Sequence, residues 1–373
     1  MFVQASKPLL DESDALAVAA AVRKGDVSGL FGEELKQFQE QFGTYIGSPY
    51  ALATTSCYTA LHLAMATLGI TKGDEVLVSS YTNISSVLPI IYLGGKPIFI
   101  DIEKDTWNMN AKLVEAKITS KTKAIVVVHI YGHPVDMDPI LKIAKKHKLL
   151  IIEDVAEALG GTYKGKMLGS FGDAACFSFL ANKFITTGEG GMMTIQNKDV
   201  FEKAFMMRSL AFGKQNRYMH EYLGFNYRMS NVLAALGLSQ LKKVDTIINI
   251  KRDLAHFYSD AFKDVKEFIL PVEKKYAKNV YWMYHVVLTG RLKGRKKEFL
   301  SKLLEVGVDN REGFVPMNRQ KILIKKGLCK EEDCPVANSI SDNSFYIPSG
   351  PNITVEEKKY VVEQILQVVK NFK

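Results

Sequence analysis

Asp173-Ala-Ala-Cys-Phe-Ser-Phe-Leu-Ala-Asn-Lys-Phe-Ile-Thr-Thr-Gly-Glu-Gly-Gly191 decides the reading of this chain, because it sets one lysine, Lys183, at the exit of an apolar strand. Residues 174–180 carry a single hydroxyl, Ser178, among apolar and aromatic side chains, the pattern of a buried strand in a parallel sheet. Gly188, Gly190 and Gly191 permit close approaches that a β-carbon forbids, as a chain turning around a ligand requires. Met192-Met-Thr-Ile195 reads as a further short strand, which places Lys183 in a loop between two strands, near the core. Low-dielectric surroundings lower an ammonium's pKa and free the amine to attack a carbonyl, as a Schiff-base lysine must. For any single lysine a solvated surface charge is the plain alternative.

Working upstream, Leu149-Leu-Ile-Ile-Glu-Asp154 is a hydrophobic run ending in two acids. It reads as a buried strand whose carboxyl end delivers Asp154 and, three residues on, Glu157, and ligands of open α/β sheets bind at such ends. An acid and a lysine delivered from two strand ends suit pyridoxal 5'-phosphate: the lysine bonds the aldehyde carbon, the acid pairs with the pyridinium nitrogen, and a hydroxyl takes the phosphate. Asp154 also reads as the N-cap of a helix beginning at Val155.

The segments IIEDVAEALGG, GSFGDAACFSF, NKFITTGEGGM and YLGFNYRMSNVLAALGLSQL resemble the DegT/DnrJ/EryC1/StrS family of pyridoxal-phosphate-dependent nucleotide-sugar aminotransferases. The NKxITTGEGG form is most similar to the 4-keto-6-deoxysugar branch, the perosamine and viosamine synthases. The resemblance runs from about Leu9 to the C-terminus and is strongest over residues 124–245. It implies an α/β fold of the fold-type I aminotransferases. A large cofactor domain, residues 1–245, would hold a mostly parallel sheet flanked by helices, with a smaller C-terminal α/β domain at 246–373. It also implies a homodimer with shared sites, glutamate as amino donor, and a nucleotide-diphosphate ketosugar as substrate, as in deoxysugar supply for O-antigen.

Residue by residue, the resemblance makes Lys183 the catalytic lysine, Asp154 the partner of the ring nitrogen and Glu157 that of the ring oxygen. Ala156 lies against the ring, Ser178 and Ser56 hold the phosphate, and Asn226 reaches the neighbouring subunit's cofactor phosphate. Arg311 matches an arginine that handles a carboxylate, for which a guanidinium is suited. Ser56-Cys57-Tyr58 opens an apolar-periodic helix whose first amides form an anion site, although a Gly-Thr pair is usual where Cys57 and Tyr58 stand. Asn83 replaces the aromatic residue that stacks on the pyridine ring, so Tyr81 or Tyr58 supplies that face, or Ala156 alone holds the ring. Glu312, Gly313 and Asn318 stand where proline, an aromatic and histidine are common, which points to an altered sugar pocket. His129 ends the strand Ala124–His129 at the rim that Asp154 shares, as a structural group or as a contact to substrate or cofactor.

The remaining chain supports this class. Strand-like segments at 96–101 and 124–129 alternate with helices from about Asn110 and Met137, and residues 12–42 read as two helices broken at 25–32. Asn279–Leu288 reads as a strand of the smaller domain, and Ile353–Phe372 as a closing helix. With 373 residues, 47% of them hydrophobic, no membrane-length apolar run and no leader-like start, a cytoplasmic location is expected. Cys57, Cys176, Cys329 and Cys334 suggest neither a disulfide framework nor a metal site. The net charge of +9 is dispersed in doublets such as Lys145-Lys146, which argues against nucleic acid and suits steering of an anionic sugar nucleotide. Three alternatives stand beside the aminotransferase. A dehydratase of related fold would carry histidine at Lys183, a dinucleotide oxidoreductase would need a Gly-x-Gly-x-x-Gly that is absent, and a non-catalytic regulator would keep only the scaffold.

Overall fold

A computed structural model describes residues 1–212, 216, 218–220 and 222–372. The polar, aromatic segment 212–220, whose composition predicts a break in the helices of residues 199–245, therefore lies partly outside the described residues.

The strands in chain order are β1 (Tyr50–Thr54), β2 (Glu75–Ser79), β3 (Lys96–Ile100), β4 (Thr122–Val128), β5 (Leu150–Asp154), β6 (Thr162–Tyr163), β7 (Lys166–Met167), β8 (Ala174–Ser178), β9 (Gly191–Ile195), β10 (Phe268–Ile269), β11 (Ala277–Lys278), β12 (Tyr284–Leu288), β13 (Arg311–Glu312) and β14 (Ser344–Ile347). Seven of them form one sheet in the order β1-β9-β8-β5-β4-β2-β3. Pairing is parallel from β3 through β8, and only β9 runs against its neighbours. Near-continuous burial along β2, β4 and β5 is what the Val/Ile/Leu-rich segments require of a sheet covered on both faces. The register aligns Val128 with Asp154 and Asp154 with Cys176, and it sets Gly191 opposite both Ser178 and Thr54. The ends of five strands thereby meet along one rim.

The first helices, α1 (Glu12–Lys24) and α2 (Glu33–Ile46), form as the sequence implies and are separated at Gly25–Gly32. Helix α3 (Cys57–Thr67) opens on Ser56, whose hydroxyl accepts the Thr59 amide while the Thr59 hydroxyl accepts the Ser56 amide. The long helix Val244–Phe262 leads to the four-stranded sheet β10-β12-β14-β13. A second apolar core there gathers Tyr258, Phe262, Phe299, Phe345 and Val361, and the N-terminal Val3 joins it through a bridge to Val308. No helix among the described residues is long and apolar enough to cross a membrane.

Two local expectations are corrected. No helix follows Asp154: residues 155–160 turn back, and Asp154 Oδ1 accepts the Ala156 amide at 3.1 Å. The strand expected over 279–288 begins only at Tyr284. Before it, the amides of Val280 and Trp282 donate to the carbonyls of Gly132 and Tyr131 in the loop after β4, and Tyr281 adopts a left-handed φ of 49°. That backbone is committed to the large sheet's rim and cannot pair as a ladder.

Candidate active site

The rim encloses a cleft of about 400 Å³, lined by Ser56, Cys57, Tyr58, Asp154, Ala156, Glu157, Ser178 and Lys183, with Asn83, Asn182, Trp282, Phe314 and Tyr346 completing it. Eight of the expected residues thus come together from β5, β8, the loop after β8 and the start of α3. Gly191 explains how α3 reaches them: a β-carbon there would lie 2.4 Å from the Cys57 nitrogen, so the helix start rests directly on the strand. By position in the first turn, the Cys57 and Tyr58 amides have no intrahelical acceptor, and they face the cleft with the positive end of the helix.

Alternation along β5 sends its two acids to opposite sides. Asp154 faces the cleft, where its Oδ2 accepts the Ser86 hydroxyl at 2.7 Å and its Oδ1 lies 4.0 Å from Cys57 Sγ. Glu153 faces away and accepts the amides of Gly169, Phe171 and Gly172, tying down the loop before β8. Glu157 Oε2 accepts the Tyr131 amide at 2.9 Å, and its Oε1 lies 3.7 Å from Lys183 Nζ. Burial raises the Asp154 carboxyl and carries Glu157 up to about 7, with Lys183 opposing both shifts. Burial also lowers the Lys183 ammonium, against the pull of Glu157. The site therefore holds two carboxyls and an amine drawn toward their neutral forms, which is the state of a proton-transferring centre.

Other expected residues lie elsewhere. Tyr81 is fully buried outside the cleft, its hydroxyl 3.0 Å from Ser344 Oγ and 3.2 Å from His285 Nε2, so it supplies neither a substrate contact nor a ring face. His129 is likewise enclosed: its Nδ1 accepts the Val135 amide and its Nε2 donates to Glu153, which makes it a structural group. Arg311 stands exposed on the edge strand β13, paired with Asp309 and aligned with Tyr346 rather than lining the cleft. Asn226 is exposed and bridges to Ser209, outside its own chain's cleft. Of the candidates for the ring face opposite Ala156, Tyr58 lines the cleft and Tyr81 does not. Sequence reading passed over Ser86, Asn182 and Trp282. Ser86 follows Asn83 by three residues and Trp282 lies in the strand-like run 279–288, with no motif to single either out, and Asn182 is the first letter of the NKFITTGEGGM match.

These groups suit pyridoxal phosphate: an amine, an acid at the end of a strand, and unpaired helix-start amides share one cleft. Asn182 Oδ1, buried at the cleft without a donor among the described residues, is a further polar atom that the protein alone leaves unsatisfied. The chain belongs to the DegT/DnrJ/EryC1/StrS aminotransferase family, whose profile it matches over residues 8–366. It is a pyridoxal-phosphate-dependent sugar aminotransferase. Among its relatives, a GDP-perosamine synthase of Escherichia coli O157:H7 is 37% identical over 90% of each chain. Another from Caulobacter vibrioides is 36% identical over 98% of each. In structure it is similar to Helicobacter pylori PseC, an aminotransferase involved in the biosynthesis of pseudoaminic acid, with a TM-score of 0.94, 26% identity and all of both chains covered.

Proposed function

We propose that the protein transfers an amino group from L-glutamate to a 4-keto-6-deoxyhexose carried on a nucleoside diphosphate, as a GDP-perosamine synthase does. Three GDP-perosamine synthases among its relatives favour GDP; the dTDP- or UDP-linked viosamine type is the second reading. The observation that carries the proposal is the buried Lys183 amine in the cleft, 3.7 Å from Glu157 and shared with Asp154. A large domain at 1–245 and a smaller one at 246–373, working as a cytoplasmic homodimer in deoxysugar supply for O-antigen, complete the reading.

Bound pyridoxal phosphate supplies an electron sink and carries the amino group between two half-reactions. Asp154, oriented by Ser86 and the Ala156 amide, would pair with the ring nitrogen and keep it protonated. Glu157 would bond the ring oxygen, while Ser56, Ser178 and the amides of Cys57 and Tyr58 would hold the phosphate. Lys183 takes the proton from the donor's α-carbon and later returns one to the sugar carbon. Asn226 of one subunit would reach the phosphate in the other, a role its exposure beside the exposed Tyr222 and Leu223 permits.

Incubating the purified protein with glutamate and a panel of nucleotide-linked 4-ketosugars, read by mass spectrometry, should yield one aminated product and 2-oxoglutarate. Lys183→Ala should lower turnover by roughly two to four orders of magnitude and abolish the visible absorbance of the lysine-bound cofactor. A colourless wild-type protein with cofactor supplied, or amination undiminished by Lys183→Ala, would overturn the assignment.

A further inference from the structure

Trp282 has no part in the reaction as described, yet two contacts tie it to the lysine. Lys183 Nζ lies 3.4 Å from the centre of its ring, and its indole N–H donates at 2.8 Å to the carbonyl of Asn182, the residue before the lysine. The ring is 4% exposed and lies parallel to Tyr131, at 6.2 Å between centroids and 10° between planes. Tyr131 in turn gives its amide to Glu157. The amine is therefore bounded by an aromatic face and a carboxylate, and each is fixed to the other through Tyr131.

We propose that Trp282 is the platform on which the Lys183 ammonium rests whenever it is not bonded to the cofactor, a positioning residue that keeps the amine in reach between the two half-reactions. The inference rests on the reading of Lys183 given above. An aromatic face attracts a cation through its quadrupole, more strongly when water is excluded. Without that attraction a buried ammonium gives up its proton more readily. The other titratable groups around the amine are Glu157 and Asp154 from β5 and its turn, Cys57 from the start of α3, and Lys251 from helix Val244–Phe262. The acids hold the ammonium and Lys251 repels it, and none of them contributes a flat face. The bond from the indole to Asn182 makes ring and lysine loop move together, so the amine swings back over the same spot after each release.

The chain has two tryptophans, Trp107 and Trp282, so a Trp107→Phe background confines fluorinated tryptophans to position 282. That background sacrifices no bond, since Trp107 Nε1 has no partner among the described residues. In cofactor-stripped protein, the pH dependence of Lys183 acylation, mapped by peptide mass spectrometry, reports the amine directly. In the cofactor-loaded protein, the pH titration of visible absorbance reports the lysine linkage. Increasing fluorination should lower the midpoint of the acylation titration progressively, by about one pH unit in all, and leave that of the lysine-linked cofactor in place. Trp282→Leu should reproduce the full shift, and Trp282→Phe a smaller one. An acylation midpoint that stays constant across the fluorinated series would overturn the proposal, whatever happens to melting temperature. Should the functional amine map to a lysine other than Lys183, the lysine assignment itself would fail, a result distinct from a constant midpoint.

Discussion

Asp154 meets two opposed influences, burial that favours its neutral form and the Ser86 hydroxyl at 2.7 Å that favours its charge. Ser86→Ala removes a hydrogen bond to a charged group, a loss of about 1.5–3 kcal/mol. Cofactor retention should fall about tenfold or more, measured by dialysis and absorbance, while the fold stays intact. Glu157 is driven by burial in the same direction as Asp154. It titrates at about 7 in the folded chain against 4.5 for an ordinary glutamate, so the folded form holds the proton more tightly. That stabilisation is complete below about 4.5 and is lost as pH rises toward about 7. Cofactor-free Glu157→Gln should therefore show a smaller drop in melting temperature across this window than the parent, and an unchanged slope would contradict the assignment. Lys183, Asp154 and Glu157 were legible in sequence because each follows a run of apolar residues that ends at a sheet rim. For His129 and Tyr81 the sequence left alternatives open, and the structure takes the structural one for each, because the same strand ends also carry residues that turn inward and one position of alternation decides which.

At the level of elements, the site depends on how closely α3 approaches β9. A methyl group at position 191 would sit 2.4 Å from the Cys57 nitrogen and 2.4 Å from the Ser56 carbonyl carbon, both of them backbone atoms. Gly191→Ala should push the helix start away, costing about 1–3 kcal/mol of stability and weakening phosphate retention. Thermal melts and cofactor titration would register the two effects separately. The helix and its capping residue were visible in sequence as a small polar turn before an apolar run. Its seat on Gly191 was not, since contacts between distant segments leave no local periodicity. The segment 279–283 makes the same point: its apolar, aromatic composition reads as strand, but its amides are drawn to Tyr131 and Gly132.

For the whole molecule, the exposed Asn226 and the neighbouring Leu223, 91% exposed, belong to a surface that a single chain leaves uncovered. If Asn226 completes the neighbour's site, mixed subunits of Lys183→Ala and Asn226→Ala should complement each other. A random mixture would restore roughly a quarter of wild-type sites, because half of the dimers are mixed and each has one intact site. Activity of refolded mixtures against each variant alone measures this, and additive activity with no recovery would argue for self-contained subunits. Val3, seated in the core of the C-terminal sheet, ties the start of the chain to the elements after residue 245.

The amino-acid sequence alone determined the sheet-rim lysine, its two acids, the helix that faces them and the α/β class, because each is written in a short run of hydrophobic pattern or in a motif of fixed spacing. Only the tertiary structure decided that Trp282 lies under the lysine, 100 residues along the chain from Asn182 to which it is bonded, and that Ser86 orients Asp154. The physical reason is that side-chain direction at a strand end follows from register and from what packs against it, neither of which is encoded within reach of the residue itself.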